Sequence, residues 1–94
     1  MKISKVGIAW FREDEYDAFR KLFTDGNGLP EHFGEWLDKA ENGLSDLRAK
    51  GHTVVKAYLH IETFPEWCGT RGLEIDSSAR RKFAAWYAVR DDSQ

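Results

Sequence analysis

The chain has 94 residues, which is enough for one compact domain and too few for two. Hydrophobic residues make up 41%, charged residues 32% and aromatic residues 14%, a composition that excludes a disordered chain and a collagen-like fibre. The formal net charge of −2 is too acidic for a protein that binds chiefly to phosphate backbones. We therefore expect a single globular domain over residues 1–94.

Nothing in the sequence marks a membrane or secreted protein. No run of about 18 apolar residues occurs, and the first residues lack a hydrophobic signal region. The single cysteine, Cys68, excludes an internal disulfide and a zinc site built from several cysteines. These features predict a cytoplasmic protein with no membrane partner.

A strand and a helix are the first elements predicted in chain order. Val6, Ile8 and Trp10 alternate with smaller or polar residues, which indicates a strand over residues 3–11. Residues 13–23 change to a helical period, with acidic side chains at the start and basic side chains at the end. That order complements the helix dipole and favours a helix here.

A longer second helix is predicted after the glycine-rich loop at residues 24–28. Pro30 suits its first turn, and apolar residues then recur at three- and four-residue steps as far as Leu47. Gly51 suits the residue that follows the helix end. Gly34 and Gly43 each cost about 1 kcal/mol relative to alanine inside a helix. We therefore expect another element to approach this helix closely.

A second strand is predicted over residues 53–61, where the two-residue period returns. Val55 and Ala57 face one side of this strand, whereas Tyr58 and His60 face the other. Thr63 and Glu66 then have the spacing of a capping box at the start of a short helix.

A last helix is predicted to begin at Asp76 or Ser77, either of which could cap it. Its helical spacing predicts a buried side formed by Ala79, Phe83, Trp86 and Tyr87.

The element order β-α-α-β-α-α predicts an α+β domain of two layers with a two-stranded sheet. Two strands alone leave exposed edges and make a marginally stable sheet. We therefore predict that a homodimer extends the sheet across a two-fold axis. A monomer whose helices cover both edges is the alternative. The sequence leaves the relative direction of the two strands open.

The second strand carries the candidate ligand-binding residues. Tyr58, His60 and Glu62 alternate on one face at a spacing of about 6.6 Å. Gly7 on the first strand is small enough to leave a shallow groove beside them. A phenol, an imidazole and a carboxylate can support acid–base chemistry, so a small enzyme or ligand binder is one alternative. The other alternative is that this face of the sheet is simply solvated or is covered by a partner subunit.

No metal site, cofactor or catalytic residue is predicted. His32, His52, His60 and Cys68 show none of the paired spacings that place two metal ligands on one face. Cys68 also lacks the sequence surroundings of a catalytic cysteine, so we expect it to pack in the core.

Nucleic-acid binding is a weaker alternative for the last helix. Arg80, Arg81 and Lys82 form a basic cluster there and are the candidate contacts. A recognition helix needs polar side chains that read bases, however, and the residues that follow favour packing. A cation–π contact between Lys82 and Trp86, four residues apart, also accounts for the pattern.

Several stretches of the chain carry a resemblance to a known family. They read V-G-I-A-W-F-R-E-D-E-Y at residues 6–16, E-W-L-x-x-A-E at residues 35–41, F-x-E-W-C-x-x-R-G-L at residues 64–73 and A-R-x-x-F-A at residues 79–84. Together they resemble a family of short bacterial hypothetical proteins of unassigned function. The resemblance implies a bacterial, stand-alone, cytoplasmic protein and transfers no catalytic residue.

These features favour a small non-enzymatic module that acts as a homodimer. Its further partner, a protein or a small molecule, is left open by the sequence. The alternatives are a small enzyme or ligand binder that uses Tyr58, His60 and Glu62, and a weak DNA-binding regulator.

Overall fold

The sheet consists of two parallel strands. A computed structural model describes residues 5–91, with β1 at Lys5–Trp10 and β2 at Thr53–Tyr58. The register pairs Lys5 with Thr53 and continues without a break to Trp10 with Tyr58. The predicted two-stranded sheet is confirmed, and its strands are parallel. The start predicted for β1, at residue 3, lies outside the described residues.

Within residues 5–91, four α-helices complete the predicted order β-α-α-β-α-α and confirm the α+β class. Their bounds are Tyr16–Leu22 for α1, Phe33–Ala49 for α2, Phe64–Thr70 for α3 and Ser77–Asp91 for α4. A single 3-10 turn, Glu13–Glu15, precedes α1, and a second, Gly26–Gly28, lies in the loop before α2.

The helix ends follow the predicted signals in part. Gly51 follows α2 with a φ of +93°, a conformation that favours glycine, as the prediction of a helix end required. Thr63 is the N-cap of α3, but its side chain makes no capping hydrogen bond, so the predicted capping box does not form. Asp76 caps α4, since its Oδ1 accepts a hydrogen bond from the Ala79 N–H at 2.9 Å.

Helices pack on both faces of the sheet. On the face of Gly7, α4 lies so close that a Cβ atom at this glycine would overlap the Ala84 carbonyl oxygen. On the opposite face, Trp10 of β1 meets Trp36 of α2 edge to face, with ring centroids 5.2 Å apart. The sheet is therefore the middle of three layers, where the sequence predicted two.

The close approach predicted at α2 occurs instead at β1. Among residues 5–91, no atom of another element lies within 4 Å of where a Cβ atom would be at Gly34 or Gly43, so that prediction is wrong. The buried side of α4 also differs from the prediction. Ala84 and Ala88 are buried, whereas Tyr87 is 37% exposed. The small side chains of Ala84 and Ala88 let α4 approach the backbone of β1 at Gly7. The larger rings of α4, such as Tyr87, lie beside this contact rather than within it.

The core is a continuous network of aromatic rings. Phe11, Phe19 and Phe64 lie at its centre and are almost completely buried. Rings in successive contact lead from α2 to the surface of α4, in the order Phe33, Tyr16, Phe11, Phe19, Phe64, Trp67, Phe83 and Tyr87. The buried core is thus continuous with an aromatic surface on α3 and α4.

Candidate ligand-binding groove

A groove of about 610 Å³ opens where the carboxyl ends of the strands meet α3 and α4. Arg12 follows β1, Tyr58 is the last residue of β2, and His60 lies just beyond it. Ligands of parallel sheets bind beyond the carboxyl ends of the strands, because the loops there bring side chains together. This end of the sheet is therefore the first candidate for a binding site.

Five aromatic side chains line the groove, and they are Tyr58, Trp67, Phe83, Trp86 and Tyr87. The Trp67 ring meets Phe83 edge to face at 5.2 Å and lies 5.7 Å from Trp86, measured between centroids. Tyr58 is 42% exposed, so much of its ring is accessible from solvent. The groove thus offers rigid apolar faces to solvent.

Arg71 stands over these rings at the end of α3. Its guanidinium carbon lies 4.4 Å from the Trp67 centroid and 5.3 Å from that of Trp86. Its Nη1 donates to Thr70 Oγ1 at 3.1 Å and to the Trp67 carbonyl oxygen at 3.3 Å. Both bonds use Nη1, one of the three nitrogens of the guanidinium group.

The groove has a net positive charge. Arg12 and Arg71 line it, and Glu66 is the carboxylate among its lining residues. Arg12 lies 3.8 Å from Asp14, and both side chains are more than half exposed, so this ion pair holds Arg12 weakly. Arg90, although outside the lining, adds a further cation 4.8 Å from the Trp86 centroid. The balance of charge favours an anion.

The structure brings together two of the four predicted ligand-binding residues. Tyr58 and His60 line the groove, whereas Glu62 is exposed outside its lining. Gly7 lies on the opposite face of the sheet. The register pairs it with Val55, which is three residues from Tyr58 and therefore points to the other side of β2. The row of alternating side chains also stops at Tyr58, where β2 ends.

The predicted basic cluster on α4 is divided by the fold. Arg81 and Lys82 are exposed, but Arg80 is half-buried with its guanidinium 5.5 Å from the Phe11 ring centroid. Burial lowers the pKa of Arg80, and the charge of Asp25 partly opposes that shift. In the described part of the chain, the cations over Trp86 are Arg71 and Arg90 rather than the predicted Lys82.

Sequence reasoning missed Arg12, Glu66, Trp67 and Arg71 as groove residues. One signal was present, because Trp67 and Arg71 are four residues apart and so share a face of α3. Their proximity to Trp86 depends on how α3 packs against α4, which a sequence period does not encode.

The remaining reactive side chains are placed as follows. Cys68 is fully buried in the core, as predicted, and burial raises the pKa of its thiol. Within residues 5–91, no three side chains of His, Cys, Asp or Glu are grouped so as to hold a metal ion. None of the helices in this range is both long enough and apolar enough to cross a bilayer.

No family model, no curated protein and no solved structure matches this chain. The resemblance to short bacterial proteins therefore stays a prediction.

Proposed function

We propose that the protein is a small non-enzymatic module whose groove binds a planar anion, such as an aromatic carboxylate. The juxtaposition of five aromatic rings with Arg12 and Arg71 is the observation that carries this proposal. The groove volume of about 610 Å³ lies within the usual range for small-molecule sites.

The groove can contact both parts of such a ligand, the aromatic ring and the carboxylate. A flat ring gains contact area against Tyr58 and Tyr87, whose rings are partly exposed. A carboxylate matches the planar fork of a guanidinium, and Arg71 is already held in place by two hydrogen bonds. Little side-chain ordering is then required when the ligand binds.

A cationic ligand fits the groove less well, although aromatic rings commonly bind ammonium groups. Arg71 and Arg90 already lie over the indole rings, and a ligand cation would be repelled by both. Enzyme action has less support than binding, since Glu62 lies outside the lining of the groove that contains His60. An acid–base pair in the groove would have to use Glu66 instead.

Titration with 1-naphthoate, followed by calorimetry and by tryptophan fluorescence, tests the proposal. We expect saturable binding that Arg71→Gln weakens about tenfold or more, because a charge-assisted hydrogen bond contributes about 1.5–3 kcal/mol. Lys82→Gln is the matched control, since it removes a cation from α4 outside the groove, and it should leave the affinity unchanged.

Three results would contradict the proposal. They are the absence of saturable naphthoate binding, an equal loss of affinity in Lys82→Gln, and equal binding of a naphthyl trimethylammonium cation. Thermal melting of Arg71→Gln shows whether the variant is folded. If it is not, Tyr87→Ala, on the exposed rim, serves as the second variant and should also weaken binding.

The proposal also includes assembly into a homodimer and a location in the cytoplasm. Two strands are a short sheet, and within residues 5–91 no further strand pairs with either edge, which supports assembly. The lone cysteine forms no internal disulfide, which supports a reducing compartment.

A further inference from the structure

The outer edge of β1 carries unpaired backbone groups. The Leu59 N–H donates to the Trp10 carbonyl oxygen at 3.0 Å, so the backbone of Trp10 is directed towards β2. Backbone groups alternate along a strand, and those of Gly7 and Ala9 are therefore directed away from β2. In the described part of the chain no third strand pairs with them.

This edge is the floor of a second groove, about 440 Å³ in volume, between α2 and α4. Three consecutive residues of β1, from Gly7 to Ala9, line it, as expected where a strand is seen from its side. Ala40 on α2 and Ala84 on α4 line the walls with short side chains. The groove therefore gives access to the backbone of β1.

Each wall of this edge groove also carries an exposed cation. Lys39 extends from α2 and Arg81 from α4, and the half-buried Arg80 lies beside Arg81. The described residues that line the groove include no carboxylate. A positive potential and unpaired backbone groups thus coincide along one strand.

We propose that the edge groove binds an extended acidic segment of another protein, which adds to β1 as a third strand. Backbone hydrogen bonds to Gly7 and Ala9 would supply affinity, as in other cases of strand addition. Neighbouring residues of a strand point to opposite faces. Two adjacent acidic residues would therefore meet Lys39 on one wall and Arg81 on the other.

A second copy of this chain is a poorer occupant of the same edge. A two-fold axis at β1 would bring Lys39 and Arg81 of both copies into one groove, and like charges would then repel across the interface. An acidic segment neutralises the same charges. The complementarity of charge is what selects this partner.

The test uses the hexapeptide acetyl-Thr-Val-Asp-Glu-Val-Thr-amide, titrated into the ¹⁵N-labelled protein and followed by NMR. We expect the amide signals of Gly7 and Ala9 to shift and their hydrogen exchange to slow. A matched peptide with alternate backbone nitrogens methylated keeps the charge but cannot pair as a strand, and it should bind at least about tenfold more weakly.

Charge reversal on the protein gives the second arm of the test. Lys39→Glu combined with Arg81→Glu should weaken binding about tenfold or more. Lys21→Glu combined with Lys82→Glu makes the same change in net charge outside the edge groove and should weaken binding much less. Equal losses in the two double variants would show only a general attraction to acidic peptides and would overturn the proposal.

Three further outcomes would also overturn it. They are the absence of shifts at Gly7 and Ala9 up to the solubility of the peptide, equal binding of the methylated peptide, and a homodimer that the peptide dissociates. The last would show that a second copy occupies the edge. Binding of 1-naphthoate uses different residues, so its success or failure does not affect this result.

Discussion

At the scale of single residues, the closest approach in the fold depends on the absence of a side chain. Gly7 lies under α4, where a Cβ atom would overlap the carbonyl oxygen of Ala84. The sequence predicted that glycines mark close packing, but on α2 rather than on β1. A glycine in a helix and a glycine in a strand give the same weak signal, and only the packing of α4 distinguishes them.

Two glycine substitutions of the same chemistry should have opposite effects on stability. Gly7→Ala forces the backbone of α4 away from the sheet and should destabilise the protein by about 1–3 kcal/mol or more. Gly43→Ala lies in the exposed middle of α2, where a Cβ atom meets no other element of residues 5–91 within 4 Å, and it should stabilise the protein by about 0.5–1 kcal/mol. Urea denaturation monitored by circular dichroism measures both. Equal midpoints for the two variants would contradict the packing described for α4.

At the scale of elements, two carboxylates accept hydrogen bonds at the start of α4, one adjacent to the helix in sequence and one distant from it. Asp76 is adjacent to the helix and caps it through the Ala79 N–H, which local sequence reasoning predicted as one of two choices. Asp25 accepts a hydrogen bond from the Ser77 N–H at 3.1 Å, although it lies in the loop before α2. The local cap was predictable because it depends on neighbours in the chain. The distant one depends on tertiary packing, and no sequence pattern indicates it.

The Asp25 contact predicts a specific dependence of stability on pH. Hydrogen bonds from Ser77, through its side chain and then its backbone N–H, lower the pKa of Asp25 below its ordinary 3.8. The unfolded state therefore binds this proton more readily, and the stabilisation is complete above pH 4 to 5 and lost as the pH falls through the lowered pKa. Asp25→Asn should be less stable than the wild type near neutral pH, and the difference should shrink in acid.

Urea midpoints measured at several pH values provide the check on Asp25. Asp38→Asn, which removes an exposed carboxylate from α2, is the control for the loss of a negative charge, and near neutral pH it should destabilise the protein less than Asp25→Asn does. A difference for Asp25→Asn that stays constant between neutral and acid pH would count against the contact.

At the scale of the whole molecule, the sequence predicted the elements better than their arrangement. Periodicity gave the order β-α-α-β-α-α, because each element has its own repeat. It gave neither the direction nor the register of the strands, and without the register it placed Gly7 beside Tyr58 instead of on the other face. The groove was predicted only through Tyr58 and His60, since its other walls come from packing between α3 and α4.

The mass of the protein in solution tests the predicted homodimer. Sedimentation equilibrium should give about twice the 10.9 kDa of one chain. The edge of β2 is the better place for the contact, because Lys39 and Arg81 make the edge of β1 positively charged. Lys56→Pro, which places proline in β2 where its backbone is directed away from β1, should reduce the mass to that of a monomer. A mass of 10.9 kDa for the wild type would contradict the homodimer.

The parallel register has a consequence for how the chain folds. Each residue of β1 pairs with one that is 48 positions later, from Lys5 with Thr53 to Trp10 with Tyr58. During synthesis, β1 is therefore complete long before its partner strand exists, and closing so long a loop carries an entropic cost. Contacts of such high sequence separation slow folding. A fragment that ends before β2 should lack the sheet altogether, and the rate of folding should depend on the docking of β2.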